Sequence, residues 1–131
     1  AFERLSQNLY ICAPHVGQVA ALAALDAEDE LESHVAVYRR NRDLLMEELP
    51  RAGFSGLAAS DGAFYLYADV SALTGDSRAF CGRMLAEAGV AATPGVDFDP
   101  VRGHGWVRFS FAGPTERMAE GAKRLRAWMG R

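Results

Sequence analysis

Two periodicities divide this chain. Apolar residues recur at helical spacing in its first half, in a short central stretch and at its end, and between these stretches they alternate in twos, as strands do. Residues 14–25 are Ala-rich, with Val16, Val19, Ala20 and Ala23 on one helical face. Asp26-Ala27-Glu28-Asp29 interrupts that run and supplies acids suited to a helix N-terminus. From Glu28 to Leu49, Leu31, Val35, Tyr38, Leu45 and Leu49 follow helical spacing, and Arg39, Arg40, Glu47 and Glu48 fall elsewhere on the surface. Pro50 and Gly53 are expected to end this long helix. The two runs read equally as consecutive helices or as one helix with a kink.

A short strand is expected over 54–57 and a better one over 62–70, where Phe64, Leu66 and Ala68 alternate with Ala63, Tyr65, Tyr67 and Asp69. Asp76 or Ser77 caps a helix to Ala88, with Phe80, Met84, Leu85 and Ala88 inward and Gly89 at its end. A short strand over 90–93, a loop over 94–104 and a strand over 105–111 follow. Gly113-Pro114 with Glu116 opens a last helix, whose stripe is Met118, Ala122, Leu125 and Met129. The order predicts an α+β fold: a two-layer sandwich with a small, mostly antiparallel sheet, helices on one face and a long N-terminal helix.

Composition adds limits. The length of 131 residues fits a single domain over 1–131, and 50% hydrophobic with 24% charged residues suits a globular one. A net charge of −3 gives no footprint for nucleic acid. No apolar run reaches the roughly 18 residues of a membrane span. Cys12 and Cys81 are too few for a disulfide framework and read as two buried, reduced thiols, which points to the cytoplasm.

The chemistry concentrates near the C-terminal half. Pro94-Gly95-Val96-Asp97-Phe98-Asp99-Pro100 leads through Gly103-His104-Gly105 into Trp106-Val107-Arg108-Phe109-Ser110-Phe111. Strand alternation sends Val107, Phe109 and Phe111 to the core and Trp106, Arg108 and Ser110 to the opposite face. Arg108 is then either a surface cation packed along Trp106 or a carboxylate anchor, since a planar guanidinium can hold a carboxylate through two parallel hydrogen bonds. Tyr65 and Tyr67 share a strand face with Asp69 and are either structural or site-lining. Asp97, Asp99 and His104 are close in sequence, but their spacing fits no regular face and no fourth metal ligand is apparent; they read by default as loop acids and a turn histidine. Cys12 and His15 resemble half of a zinc pair without its second half. His34 is expected at the surface or half-buried. The single lysine, Lys123, sits between Ala122 and Arg124 on a charged helix face, a poor setting for a Schiff-base amine.

Four segments carry a family resemblance. Asn8-Leu9-Tyr10-Ile11-Cys12-Ala13-Pro14, with the Ala-rich run after it, resembles the entry to a long helix; Asp61-Gly62-Ala63-Phe64-Tyr65-Leu66-Tyr67-Ala68-Asp69 resembles a glycine-aromatic strand; the stretch from Gly89 to Phe98 resembles a "gV…PG..F" segment; and Trp106-Val107-Arg108-Phe109-Ser110-Phe111-Ala112 resembles a "vRfsfa" strand. Together and in this order they resemble the C-terminal small domain of class I/II aminotransferases of the aspartate aminotransferase type, fold type I, which depend on pyridoxal 5'-phosphate. Asp99 departs from the glycine many members carry there.

The resemblance implies that Arg108 binds the α-carboxylate of an amino-acid substrate and that Phe64 helps to shape the substrate pocket. It implies transfer of an amino group between an amino acid and a 2-oxo acid. The Schiff-base lysine and the cofactor-binding residues would lie in a large domain preceding this segment, with residues 1–27 as the connection. By itself the chain is then expected to be inactive and to bind no cofactor, while the full-length enzyme is expected to be a homodimer. Two alternatives have the same site: a stand-alone amino-acid-binding module, or the same domain of a non-transaminating pyridoxal-phosphate enzyme such as a lyase, decarboxylase or synthase.

Overall fold

A computed structural model describes residues 1–58 and 60–130, and its packing divides the chain into two compact units, Ala1–Val35 and Ala36–Arg131. The first unit holds α1 (Phe2–Leu9), α2 (His15–Leu25) and the start of α3 (Glu28–Arg51). Helix α1 is not foreseen by the hydrophobic spacing; it has no side-chain cap. Asp26 and Ala27 return their N–H groups to Ala23 and Ala24 carbonyls, so α2 ends there and α3 begins as a separate helix. Glu28, Asp29 and Glu30 occupy the first turn of α3, where the helix dipole favours negative charge. Cys12 is exposed, in the turn after α1 where Ile11 takes a φ of 63°; the expected buried thiol is not formed because the turn holds no core of its own. His15 opens α2 and His34 lies on α3, both exposed.

The second unit is built on strands β1 (Gly56–Leu57), β2 (Tyr65–Asp69), β3 (Thr93–Pro94) and β4 (Trp106–Ser110). Every pairing is antiparallel, and the order across the sheet is β1-β2-β4-β3. Alternation places Leu66 and Ala68 of β2 and Val107 and Phe109 of β4 on one face. That face packs against Leu45 and Leu49 of α3, Phe80, Cys81 and Met84 of the middle helix, and Ala122 and Leu125 of α5 (Thr115–Trp128). Phe54 meets Phe109 edge-on at 5.2 Å in the centre of this core. The result is the expected two-layer α+β sandwich with helices on one face of the sheet.

Several expected boundaries shift. The middle helix α4 (Ser77–Arg83) is capped by Asp76, whose carboxylate accepts from the Arg78 and Ala79 N–H groups. It continues into a π-helical turn over Met84–Ala88, and Gly89 closes it in the left-handed region at φ 66°. Phe80 and Met84 are buried, while Leu85, expected inward, is exposed, since it stands about 100° round the helix from Met84. The strand expected over 90–93 forms instead at Thr93–Pro94, and the one expected over 62–70 starts only at Tyr65. Ala63 takes a φ of 56°, which turns the chain before the strand, and Phe64 is exposed instead of sharing the buried face of Leu66.

Asn41 is a buried polar residue that the apolar periodicity alone does not reveal. Its Nδ2 donates to the carbonyls of Phe111 at 2.9 Å and Gly113 at 2.8 Å, tying α3 to the chain leaving β4. Its position does place it on their face, since Asn41 lies four residues before Leu45 and eight before Leu49.

Candidate functional site

The face of the sheet away from the helices is polar and aromatic. Tyr65, Tyr67 and Asp69 of β2 sit opposite Ser110, Arg108 and Trp106 of β4. The Tyr67 and Trp106 rings stack, 4.9 Å apart and 13° from parallel. Arg108 stands in the middle of this surface, half-buried, flanked by Tyr67 on β2 and Thr93 on β3.

Four observations define its guanidinium. Nη2 donates to Thr93 Oγ1 at 3.3 Å. The Phe98 ring centroid lies 4.6 Å from Cζ and the Tyr65 centroid 5.2 Å, both within cation–π range. Nε is buried and has no hydrogen-bond partner. No carboxylate forms an ion pair with Arg108 among the described residues. A packed cation with spare donors and no internal counter-ion is poised for an external anion, because unpaired charge in partly apolar surroundings is costly.

The loop between β3 and β4 brings Phe98 to this place. Gly95–Asp97 and Gly103–Gly105 form two single turns that lie against each other. A side chain on Gly103 would collide with the backbone of Gly95 and Val96, and one on Gly95 would meet the Gly103 and Trp106 carbonyls and the Tyr67 hydroxyl. Ser77 reaches from α4 to donate to the Gly103 carbonyl at 2.8 Å. Asp99 accepts from the Val101 and Arg102 N–H groups at 2.9 and 3.0 Å and pairs with Arg102 Nε at 2.9 Å. These bonds, led by the Arg102 backbone N–H, hold the Asp99 carboxyl below its ordinary range. Burial, with the Asp99 charge adding to it, pushes the Tyr67 phenol up.

Phe64 immediately precedes β2, between Tyr65 of this surface and Tyr38 of α3. Its ring is 5.9 Å from that of Tyr65 and 6.4 Å from that of Tyr38, and its carbonyl accepts from Phe111 N at 2.8 Å. Phe64, Tyr65 and Arg108 thus form a continuous strip, although Phe64 does not itself touch the guanidinium. The acids considered for a metal are otherwise engaged: Asp97 pairs with Arg78 at 3.1 Å and Asp99 with Arg102, while His104 is exposed. Lys123 is exposed on α5, beside buried Ala122, in the layer across the sheet from Arg108. Cys81 is buried in the core, and burial pushes its thiol up to about 11. Of the residues around Arg108, Thr93 carried no signal of its own in the sequence; only the β3–β4 register puts it there.

No helix among the described residues is long and apolar enough to cross a membrane. Comparison with known proteins gives the family directly. The chain is 47% identical over 131 residues to a valine–pyruvate aminotransferase of Mycobacterium tuberculosis, covering 98% of this chain and 34% of that protein. It superimposes on a crystal structure of a Silicibacter pomeroyi protein with a TM-score of 0.92 at 58% identity, over 98% of this chain and 35% of the other. An aminotransferase structure from Mycobacterium tuberculosis gives a TM-score of 0.91 at 46% identity, over 98% and 34%. The chain therefore spans about a third of the length of the relatives it matches. Residues 1–125 match the family described as aminotransferase class I and II, and to that family the chain belongs.

Proposed function

We propose that this chain is the substrate-carboxylate-binding part of a pyridoxal-phosphate-dependent aminotransferase, and that Arg108 is the group that holds the carboxylate. The observation that carries the proposal is the state of the Arg108 guanidinium: packed against two rings, fixed by Thr93, and without a counter-ion among the described residues. A substrate common to aminotransferases, an amino acid or its 2-oxo acid, brings the missing anion. Two parallel N–H···O bonds to one carboxylate fix both its position and its plane. Phe64 and Tyr65 continue the surface on one side of Arg108 and would contact the rest of the substrate.

The residues described here do not fit the cofactor as they fit the carboxylate. Pyridoxal phosphate requires an amine for its Schiff base, and the one lysine of this chain is solvated on the outer helix layer, away from Arg108. The cofactor and its lysine are accordingly assigned to the part of the enzyme outside this chain, where the cofactor supplies the electron sink for amino transfer. What this chain contributes is orientation. Anchoring the carboxylate leaves the substrate only rotation about one bond, and such fixed geometry lowers the barrier of the step that follows.

The test is Arg108→Ala in the full-length enzyme, assayed with the twenty standard L-amino acids and pyruvate or 2-oxoglutarate as acceptor. Loss of one partner of a hydrogen-bonded charge pair predicts a fall of about 10²-fold or more in kcat/KM. Absorbance of the bound cofactor should not change. An unaltered kcat/KM would remove Arg108 from the site.

A further inference from the structure

Arg108 is restrained in a way that singles out one edge of its guanidinium. Nη2 gives one N–H to Thr93 Oγ1 at 3.3 Å. Nε is buried without a partner, and Phe98 lies 4.6 Å from Cζ. Among the described residues Nη1 makes no hydrogen bond. The donors left for a ligand are therefore Nη1 and the second N–H of Nη2. Thr93 is directly opposite Arg108 in the β3–β4 ladder, so its hydroxyl is placed by backbone register and not by a mobile loop. Phe98 is placed by the loop that the Gly95–Gly103 contact and the Asp99 bonds hold together.

We propose that Thr93 and Phe98 are positioning residues for carboxylate recognition: Thr93 sets the rotation of the guanidinium within its plane and Phe98 sets the plane itself. The proposal rests on the Arg108 reading given above. Its physical basis is the unpartnered Nε. A guanidinium with one buried donor unsatisfied gains by turning toward any acceptor in reach, because a buried unmade hydrogen bond is costly. The Thr93 bond and the Phe98 ring oppose that rotation. They also bear the ordering cost of a long side chain before the substrate arrives, which is how preorganisation raises affinity.

The experiment uses the full-length enzyme and two substrates: the L-amino acid turned over fastest, and the carboxamide of that amino acid, which keeps the amine and side chain but lacks the carboxylate charge. Thr93→Val removes the hydroxyl and keeps the β-branched shape that suits a strand; Thr93→Ser keeps the hydroxyl. The Val variant should raise KM for the amino acid and lower kcat/KM roughly tenfold, the size expected for a hydrogen bond to a charged group. The Ser variant should restore most of it, and the kcat/KM of the carboxamide, whose carbonyl is a neutral acceptor, should fall clearly less than that of the amino acid in the Val variant. Phe98→Leu should lower kcat/KM for the amino acid about threefold, with Phe98→Tyr near the parent value. Equal losses on both substrates, or no loss with Thr93→Val, would overturn the positioning role. The Arg108→Ala variant separates the two ideas: if it is crippled while Thr93→Val is not, only positioning fails, and if it is unaffected the carboxylate anchor fails first.

Discussion

The two faces of one small sheet are made by neighbouring residues of the same two strands, yet they obey different rules. On the inner face, Leu66, Ala68, Val107 and Phe109 are buried against three helices, and the one unpartnered buried side-chain atom of that layer among the described residues is the neutral Oδ1 of Asn41. On the outer face, Tyr65, Tyr67, Trp106 and Arg108 are packed together but not complete: the arginine has no counter-ion among the described residues and one buried donor is unpartnered. The inner face is a stability problem that the fold has solved. On the function proposed above, the outer face would be completed by a substrate carboxylate. A change of one position along β4 should therefore move an effect from stability to binding.

The sharpest way to test that contrast is to truncate adjacent residues. Phe109 is buried in the core and meets Phe54 edge-on, so Phe109→Ala should cost about 3–5 kcal/mol of stability. Chemical denaturation of the parent and variant would measure it. Arg108→Ala, one residue away, should change stability by less than about 1 kcal/mol, because it removes the cation–π contacts and an unsatisfied donor together. If the arginine variant is destabilised as much as the phenylalanine variant, the outer face is a second structural layer and the contrast is lost.

What could be read from residues alone follows the same division. The inner face was legible because burial imposes a period of two on strands and 3.6 on helices, and Val107, Phe109, Ala122 and Leu125 all obey it. The side of the sheet on which Arg108 falls was legible for the same reason. Its surroundings were not: Thr93 reaches it through strand register and Phe98 through a loop fold, and neither leaves a periodic trace. Phe64 shows where pattern misleads. Its spacing matches Leu66 and Ala68, but the positive φ at Ala63 falls inside the expected strand, which starts only at Tyr65, and the ring is left exposed beside Tyr65. Leu85 fails likewise: it is apolar but stands about 100° round the helix from buried Met84 and is exposed.

A smaller effect should come from the loop that links the two faces. In Gly103→Ala the new methyl would run into the backbone of Gly95 and Val96, atoms that cannot swing aside as a side chain would. Overpacking of this kind costs about 1–3 kcal/mol. Because the displaced loop carries Phe98, the variant should also weaken the amino-acid KM while Ser77 loses its bond to the Gly103 carbonyl. Denaturation and steady-state kinetics on the same preparation would read both effects. Unchanged stability with normal KM would show that the close contact is not needed to place the ring.

The smallest expected effect is a pH dependence of that loop. Asp99 accepts from the Arg102 and Val101 N–H groups and pairs with the Arg102 side chain, and these bonds lower its folded-state pKa. A carboxylate with a depressed pKa binds fewer protons when folded than when unfolded. Its contribution is therefore complete above the unfolded value, about 3.9 for aspartate, and is lost as pH falls through the lower folded value. Arg102 is exposed and Asp99 only half-buried, so solvent screens the pair and its effect on global stability is small and belongs to the loop. The protection of the Val101 and Arg102 amides, relative to their intrinsic exchange, should persist down to about pH 4 and then decline, and Asp99→Asn should lower it above that pH while the two proteins converge below it. The β4 amides that pair with β2, such as those of Phe109 and Val107, should not follow. If they open together with the loop, its order is set by the sheet, and the Asp99 carboxylate does not hold Phe98 in place.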